Sequence, residues 1–182
     1  MKAEILAIGT ELLLGQITDT NSQWIAQRLA ELGIDLHYKS IVGDNKQRIL
    51  ETLTKALDRS DVVITTGGLG PTQDDLTREM IAETLKVDLV QDKDLLSDIK
   101  FYFDRLGYKM TSNNIKQAYL HEGSREIKNH NGTAPGLLIN QESKTIIALP
   151  GVPVEMKAMM KETVIPYLEQ NFFTGQVIKS RV

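Results

Sequence analysis

Val62-Val63-Ile64-Thr65-Thr66-Gly67-Gly68-Leu69-Gly70-Pro71-Thr72-Gln73-Asp74-Asp75-Leu76-Thr77 is the stretch that decides the fold. Its first five residues are all β-branched, and a run apolar on both faces reads as a buried parallel strand. Three glycines end it. Helical spacing then follows, with Leu76, Met80, Ile81 and Leu85 on one face of a helix predicted over Asp75–Leu85. A buried strand passing through a glycine-rich loop into a helix is half of a parallel β-α-β unit.

The same alternation extends in both directions. Upstream, Ala3–Ile8 is a short apolar strand ending at Gly9, and Asn21–Leu32 carries Trp24, Ile25, Leu29 and Leu32 at helical spacing before Gly33. Ile34, Leu36 and Tyr38 alternate with polar residues as a strand does. Asn45 is placed to cap a helix with the stripe Ile49, Leu50, Leu53 and Leu57. Downstream, Asp92–Leu106 is a helix, Ser112–Leu120 is a short one, and Gly136–Asn140 with Thr145–Leu149 forms a hairpin. A last helix runs over Val154–Leu168 with Pro153 at its start. The order predicts an α/β fold: three layers, α/β/α, around a mostly parallel sheet with one antiparallel edge. A strand is also expected at Gln176–Val182.

Composition narrows the function classes. The 182 residues contain no Cys, which removes disulfides, thiolate zinc sites and Cys nucleophiles. A net charge of −3 leaves no basic footprint for nucleic acid or an anionic membrane surface. No apolar run reaches the ~20 residues of a membrane span. Met1-Lys2 leads straight into a strand with no signal-like segment, so a cytoplasmic location is expected. The three histidines, His37 in a strand and His121 and His130 in loops, form no ligand pair and read as surface or core-edge residues.

Ligands of open α/β sheets bind beyond the C-terminal strand ends. Three segments should meet there. In Gly9-Thr10-Glu11, the glycine turns the chain off its strand, and Glu11 is either a carboxylate at the crevice mouth or a surface residue. Asn21 nearby reads as a helix cap rather than a ligand contact. In Thr66-Gly67-Gly68-Leu69-Gly70, the backbone can approach an anion closely, and the following helix start favours phosphate. Asp74 and Asp75 would repel that phosphate unless a divalent cation intervenes; otherwise Asp75 is a helix cap and Asp74 is solvated. Thr77 closes this segment. In Pro150-Gly151, a glycine again joins strand to helix, and Glu155 either joins the metal site or complements the helix dipole. Before the hairpin, Gly132-Thr133-Ala134 is either a plain turn or a wall against a ribose or ring. The expected metal ligands are thus Asp74, Asp75 and Glu155 or Glu11. Gly67–Gly70 would face the developing charge, and Thr10 and Gly132–Ala134 the nucleoside.

Four ordered motifs resemble one family. Gly9-Thr10-Glu11-Leu12-Leu13 with Gly15 and Asn21 resembles the first motif of the molybdopterin-binding-like domain of the competence/damage-inducible CinA family. Thr66–Thr72 with Asp74, Asp75 and Thr77 resembles the second. Asn131–Gly136 and Leu149–Pro153 with Glu155 and Met156 resemble the third and fourth. The resemblance covers about residues 4–170. It implies a fold like that of the MogA and MoaB cofactor-biosynthesis proteins, and an ADP-ribose pyrophosphatase that uses a divalent metal (Mg, Mn, Co or Ni) and yields AMP and ribose 5-phosphate. It further implies a homo-oligomer, dimer or trimer, and a nicotinamide mononucleotide deamidase domain that lies outside this chain. Residues 1–170 would be the domain and 171–182 the start of a linking region. Leu69 stands where molybdopterin-handling relatives carry Thr, which favours the CinA branch. A non-catalytic nucleotide- or molybdopterin-binding module and an adenylyl transferase stay open as alternatives, as does a purely structural domain.

Overall fold

The computed structural model describes residues 1–172. Six strands form the main sheet: β1 (Lys2–Ile8), β2 (Asp35–Val42), β3 (Val62–Thr66), β6 (Arg125–Ile127), β7 (Gly136–Gln141) and β8 (Lys144–Leu149), in the spatial order β2-β1-β3-β8-β7-β6. β2, β1, β3 and β8 run parallel, and β7 is antiparallel to both its neighbours. The predicted hairpin is therefore present, and β6 extends that edge by a strand too short to show a sequence pattern. Two further short strands, β4 (Leu89–Gln91) and β5 (Tyr119–His121), pair separately.

A one-turn helix, α1 (Thr10–Leu13), follows β1; longer helices cover both faces, and strand alternation sorts the core between them. On one face, Ala3 and Ile5 of β1 and Ile147 and Leu149 of β8 pack with Ile25 and Leu29 of α2 (Thr20–Glu31) and with the C-terminal helix. On the other, Leu6 and Ile8 with Ile146 and Ala148 meet Ile49 and Leu53 of α3 (Lys46–Arg59) and Met80 and Ile81 of α4 (Thr77–Leu85). Each such fully buried Ile, Leu or Met side chain contributes about 1.5–3 kcal/mol. α5 (Lys93–Arg105) buries Leu95 and Ile99 against Ala118 of a 3₁₀ segment, Ser112–Ala118, in a small satellite core.

Several boundaries move for local reasons. α2 begins at Thr20 because Asp19 is its cap, accepting from the Ser22 N–H at 2.9 Å, so Asn21 is not the cap. α4 begins at Thr77, two residues after the expected start, because Asp75 is held in the preceding loop. The last helix is not one uniform element. α6 (Pro153–Met159) widens into a π turn at Met160–Val164 and resumes as α7 (Ile165–Phe172). Pro166 has no N–H to give the helical ladder, and the wider turn precedes it. The linking region expected from 171 thus begins inside α7. Its remainder, with the strand expected at Gln176–Val182, lies outside the described residues.

The topology creates the crevice. From β1 the chain crosses through α2 to β2 on one side, then returns through α3 to β3 on the other side of β1. Right-handed crossovers in opposite directions put α2 and α3 on opposite faces. The loops after β1 and β3 therefore part, and a crevice opens between them at the C-terminal strand ends.

Candidate functional site

A cavity of about 560 Å³ fills that crevice. All three predicted segments reach it, through Gly9 and Glu11, through Thr66 to Thr72 with Asp74 and Asp75, and through Pro150, Gly151 and Glu155. Thr133 and Ala134 close a further side, because β7 is antiparallel and so starts at the end where its neighbours finish.

The floor is the meeting of β3 with its neighbours. Gly67 has φ +104°, and a Cβ there would lie 2.1 Å from the Ile8 carbonyl oxygen, so the backbone of β3 passes β1 at a distance only glycine permits. Its N–H is given to the Leu149 carbonyl at 3.0 Å, so Gly67 cannot serve an anion as expected. The next three N–H groups, of Gly68, Leu69 and Gly70, have no partner among the described residues; those of the partly exposed Gly68 and Gly70 remain available to a ligand. Leu69 itself is fully buried and packs into the core as well as lining the crevice.

Thr77 is also corrected. It is fully buried beneath the loop, where its hydroxyl donates to the Gly67 carbonyl at 2.8 Å and its N–H to the Gly68 carbonyl at 3.1 Å. Thr77 shapes the loop and does not face the cavity. Thr10 likewise stands back from it: its N–H and hydroxyl both donate to Asp44 at 2.8 Å, and Asp44 is the residue that lines the crevice. Gly132 belongs to an adjoining cavity of about 210 Å³, which meets the crevice at Thr133.

The carboxylates are arranged by the glycines. A Cβ on Gly9 would strike Glu11 Oε1 at 2.7 Å, one on Gly70 the Asp75 Oδ2 at 2.6 Å, and one on Gly132 the Glu155 Oε1 at 2.6 Å. Each glycine leaves room for a carboxylate folded against its backbone. Asp75 does not cap α4: its Oδ2 accepts from the Thr72 N–H at 2.9 Å and the Thr72 hydroxyl at 2.5 Å. Glu155 accepts from Asn129 Nδ2 at 2.7 Å. Asp74 and Glu11 are exposed and accept no hydrogen bond from the described residues.

Six carboxylates line the crevice, those of Glu11, Asp19, Asp44, Asp74, Asp75 and Glu155, while no lysine, arginine or histidine does. Among the described residues no three His, Asp or Glu gather closely enough to hold a metal ion by themselves. The donor set still suits a hard cation of the Mg²⁺ kind, which commonly takes one or two carboxylates and completes its shell with water and ligand phosphates. Glu11 and Asp74 are the groups free to act so.

Beside the crevice lies a buried polar layer with no clear trace in the sequence. Arg78 is 1% exposed, and burial lowers its pKa to about 10 despite Glu79 and Asp75 nearby. His121 lies in β5 rather than a loop and is buried, with its Nε2 2.8 Å from the Arg78 carbonyl; burial pushes its pKa from 6.5 down to about 4. Lys116 Nζ donates to the carbonyls of Thr72 and Asp75 at 2.8 and 2.6 Å, pinning the acidic loop to the 3₁₀ segment. Of the lining residues the sequence reading missed, Asp44 had a visible signal. It follows β2 and Gly43, the same strand–glycine–carboxylate pattern as Gly9 and Glu11. Gln117 had none, since it reaches the crevice through tertiary packing alone.

Fold and crevice define an α/β domain with a ligand-sized cleft at the topological switch point of its sheet. Over residues 4–170 the chain matches the family described as "Probable molybdopterin binding domain", and it belongs to that family. Within the family it is of the CinA type. It is 51% identical along its whole length to a CinA-like protein of Dictyoglomus thermophilum, and 54% identical over 170 residues, 93% of the chain, to a protein of Acetivibrio thermocellus named for competence-damage induction. The chain spans 44% and 41% of the lengths of those two relatives. Among solved structures, a CinA protein from Thermoplasma acidophilum, titled as of unknown function, superposes with a TM-score of 0.83 at 36% identity, covering 93% of this chain and 96% of that one. MoaB of Thermus thermophilus shares the fold at a TM-score of 0.61 and 21% identity, covering 98% of this chain and 99% of that one. The expected MogA/MoaB-like three-layer architecture is therefore the one present.

Proposed function

We propose that this domain hydrolyses the pyrophosphate bond of ADP-ribose or a related nucleotide diphosphate in a divalent-metal-dependent reaction, releasing AMP and ribose 5-phosphate. One observation carries the reading: a glycine-floored crevice lined by six carboxylates and no basic side chain, with the unpartnered N–H groups of Gly68 and Gly70 at its edge. The N–H groups suit phosphate oxygens, while the carboxylates repel them unless cations are bound between. The resemblance to the CinA family supplies the substrate class.

A divalent ion held there would neutralise the diphosphate and supply Lewis acidity. The chain's own groups have separate tasks. Glu11 and Asp74 would hold the ion, and Asp75 keeps the loop in shape through Thr72. Glu155 is oriented by Asn129 on the opposite wall. The N–H groups of Gly68 and Gly70 would stabilise charge developing on phosphoryl oxygens. The reaction is assigned to the cytoplasm and to a homo-oligomer, dimer or trimer, whose size sedimentation would read. No helix among the described residues is long and apolar enough to cross a membrane.

The test is AMP release from ADP-ribose with Mg²⁺, Mn²⁺, Co²⁺ or Ni²⁺ and with none. Metal-dependent release is expected, falling at least about tenfold in Asp74→Ala and nearly as far in Asp74→Asn. Unchanged turnover in both variants would remove Asp74 from the metal site. Nucleotide binding without turnover under any metal would replace the hydrolase with the non-catalytic nucleotide- or molybdopterin-binding module.

A further inference from the structure

The adjoining cavity of about 210 Å³ differs in chemistry from the crevice it meets at Thr133. The two are also one hydrogen bond apart: Asn129 lines the second cavity and donates at 2.7 Å to Glu155, which lines the crevice. The crevice has six carboxylates and no basic side chain, whereas in the second cavity Asp98 and Glu126 are balanced by Arg105 and Lys128.

The second cavity also has an apolar wall. Leu95 and Ile99 of α5, 5% and 3% exposed, line it, and Tyr102 follows one turn on. The Tyr102 ring is fixed, with its hydroxyl donating to the Asn131 carbonyl at 3.3 Å and Arg105 Cζ 5.4 Å from the ring centroid. Phe101 stands at the edge, 68% exposed, a large apolar ring left mostly in water. Among these groups is one polar side chain without a partner. Glu126 of β6 is half-buried, and no hydrogen bond steadies its carboxyl among the described residues, so burial raises its pKa. Because Glu126 keeps part of its surface exposed, a ligand in the cavity can reach it.

We propose that this cavity is the nucleobase subsite of the crevice: it takes an amino-bearing base whose phosphate lies beyond Thr133, with the ring against Phe101 and Tyr102 and the amino group donating to Glu126. The inference rests on the nucleotide reading above. The chemistry selects this occupant. A phosphate would meet Asp98 and Glu126 with no excess of cations to offset them. A sugar has no flat apolar face to cover Leu95, Ile99 and Phe101. A base has such a face and a polar edge as well, and its amino group supplies the donor that Glu126 lacks.

The experiment measures binding by calorimetry in Mg²⁺ to the wild type, Phe101→Ala, Phe101→Tyr and Glu126→Gln, each first checked for cooperative unfolding. The probes are AMP, inosine monophosphate and ribose 5-phosphate, which carry the same phosphate. The wild type should bind AMP about tenfold or more tighter than ribose 5-phosphate, the worth of one stacked base. In Phe101→Ala that ratio should fall at least about threefold, with ribose 5-phosphate little changed, and Phe101→Tyr should restore it. The wild type should also prefer AMP to inosine monophosphate by about fivefold. Glu126→Gln should lose that preference, because an amide can donate to the inosine carbonyl as readily as it accepts from an amino group. Equal affinities for AMP and ribose 5-phosphate in the wild type would overturn the inference. So would ratios that survive in both Phe101→Ala and Glu126→Gln. Phe101→Ala weakening ribose 5-phosphate as much as AMP would overturn it too, and hand the cavity to the sugar phosphate. Turnover of ADP-ribose decides the hydrolase separately: base discrimination without turnover would overturn the hydrolase and leave the subsite standing, and turnover without base discrimination would do the reverse.

Discussion

Replacing Gly67 with alanine separates the two demands that the crevice floor makes on the chain. The first is conformational: at φ +104° an L-residue is strained, at a cost of about 1–2 kcal/mol. The second is steric. The new Cβ would stand 2.1 Å from the Ile8 carbonyl oxygen, far inside van der Waals contact, and that oxygen belongs to the backbone of a fully buried central strand. Relief requires β1 and β3 to move apart, adding about 1–3 kcal/mol of overpacking. Gly67→Ala should therefore cost about 2–5 kcal/mol in all. Two controls divide the sum. Gly15→Ala has φ +70° but nothing within 4 Å, so it should lose only the conformational part, about 1–2 kcal/mol. Gly151→Ala would place its Cβ 3.4 Å from the Gly67 Cα, an ordinary contact, and should change stability by less than about 0.5 kcal/mol. Urea unfolding of the three variants at one pH, fitted with a shared slope, reads all three values. A Gly67→Ala loss within about 1 kcal/mol of the Gly15→Ala loss would refute the close approach of β1 and β3.

Other expectations follow from single contacts. Thr77→Val keeps the shape of a buried side chain but leaves the Gly67 carbonyl without its donor, and should cost about 1–2 kcal/mol in urea unfolding, largely restored in Thr77→Ser. Should Val be as stable as Thr, the hydroxyl does not hold the loop. His121 is neutral when folded, with a pKa near 4 against 6.5 when free, so the unfolded chain binds the proton first. Stability should be full above pH 6.5 and fall by about 3 kcal/mol as the pH drops to 4, with a flatter profile in His121→Gln. Equal slopes in the two proteins between pH 6.5 and 4.5 would contradict that origin. Asn45→Ala removes the α3 cap, whose Oδ1 accepts from the Arg48 N–H at 3.1 Å, and should lower the melting temperature by an amount matching about 1 kcal/mol.

The architecture was legible because it is written in local periodicity. Val62–Thr66 carried its burial in its β-branching, and Ile49 and Leu53 carried theirs in helical spacing, while Leu50 and Leu57 of the same stripe are half-buried at its edge and the buried Ala56 was not read. The misreadings lie where two local rules compete. Asn21 and Asp19 are both capping types two residues apart, and Asp19 takes the cap because burial claims Asn21 for Thr66 and Gly151. Asp75 likewise has the chemistry of a helix cap, but Thr72 binds it first and α4 starts later. β6 and the β4–β5 pair are three-residue strands, too short for any alternation to show.

The sequence by itself determined that glycines and carboxylates follow strands at several points of a parallel α/β chain. Hydrophobic period and turn chemistry act over a few residues, and a reader can recover them without coordinates. Only the tertiary structure decided which of those polar residues face the cleft. Thr10 and Thr77 are spent on Asp44 and Gly67, and the Gly67 N–H on Leu149, while Asp44, Asn21 and Gln117 take places along the cleft. Hydrogen-bond partners 10 to 130 residues apart set that outcome, and a buried polar atom is committed or left free only once the sheet has closed around it.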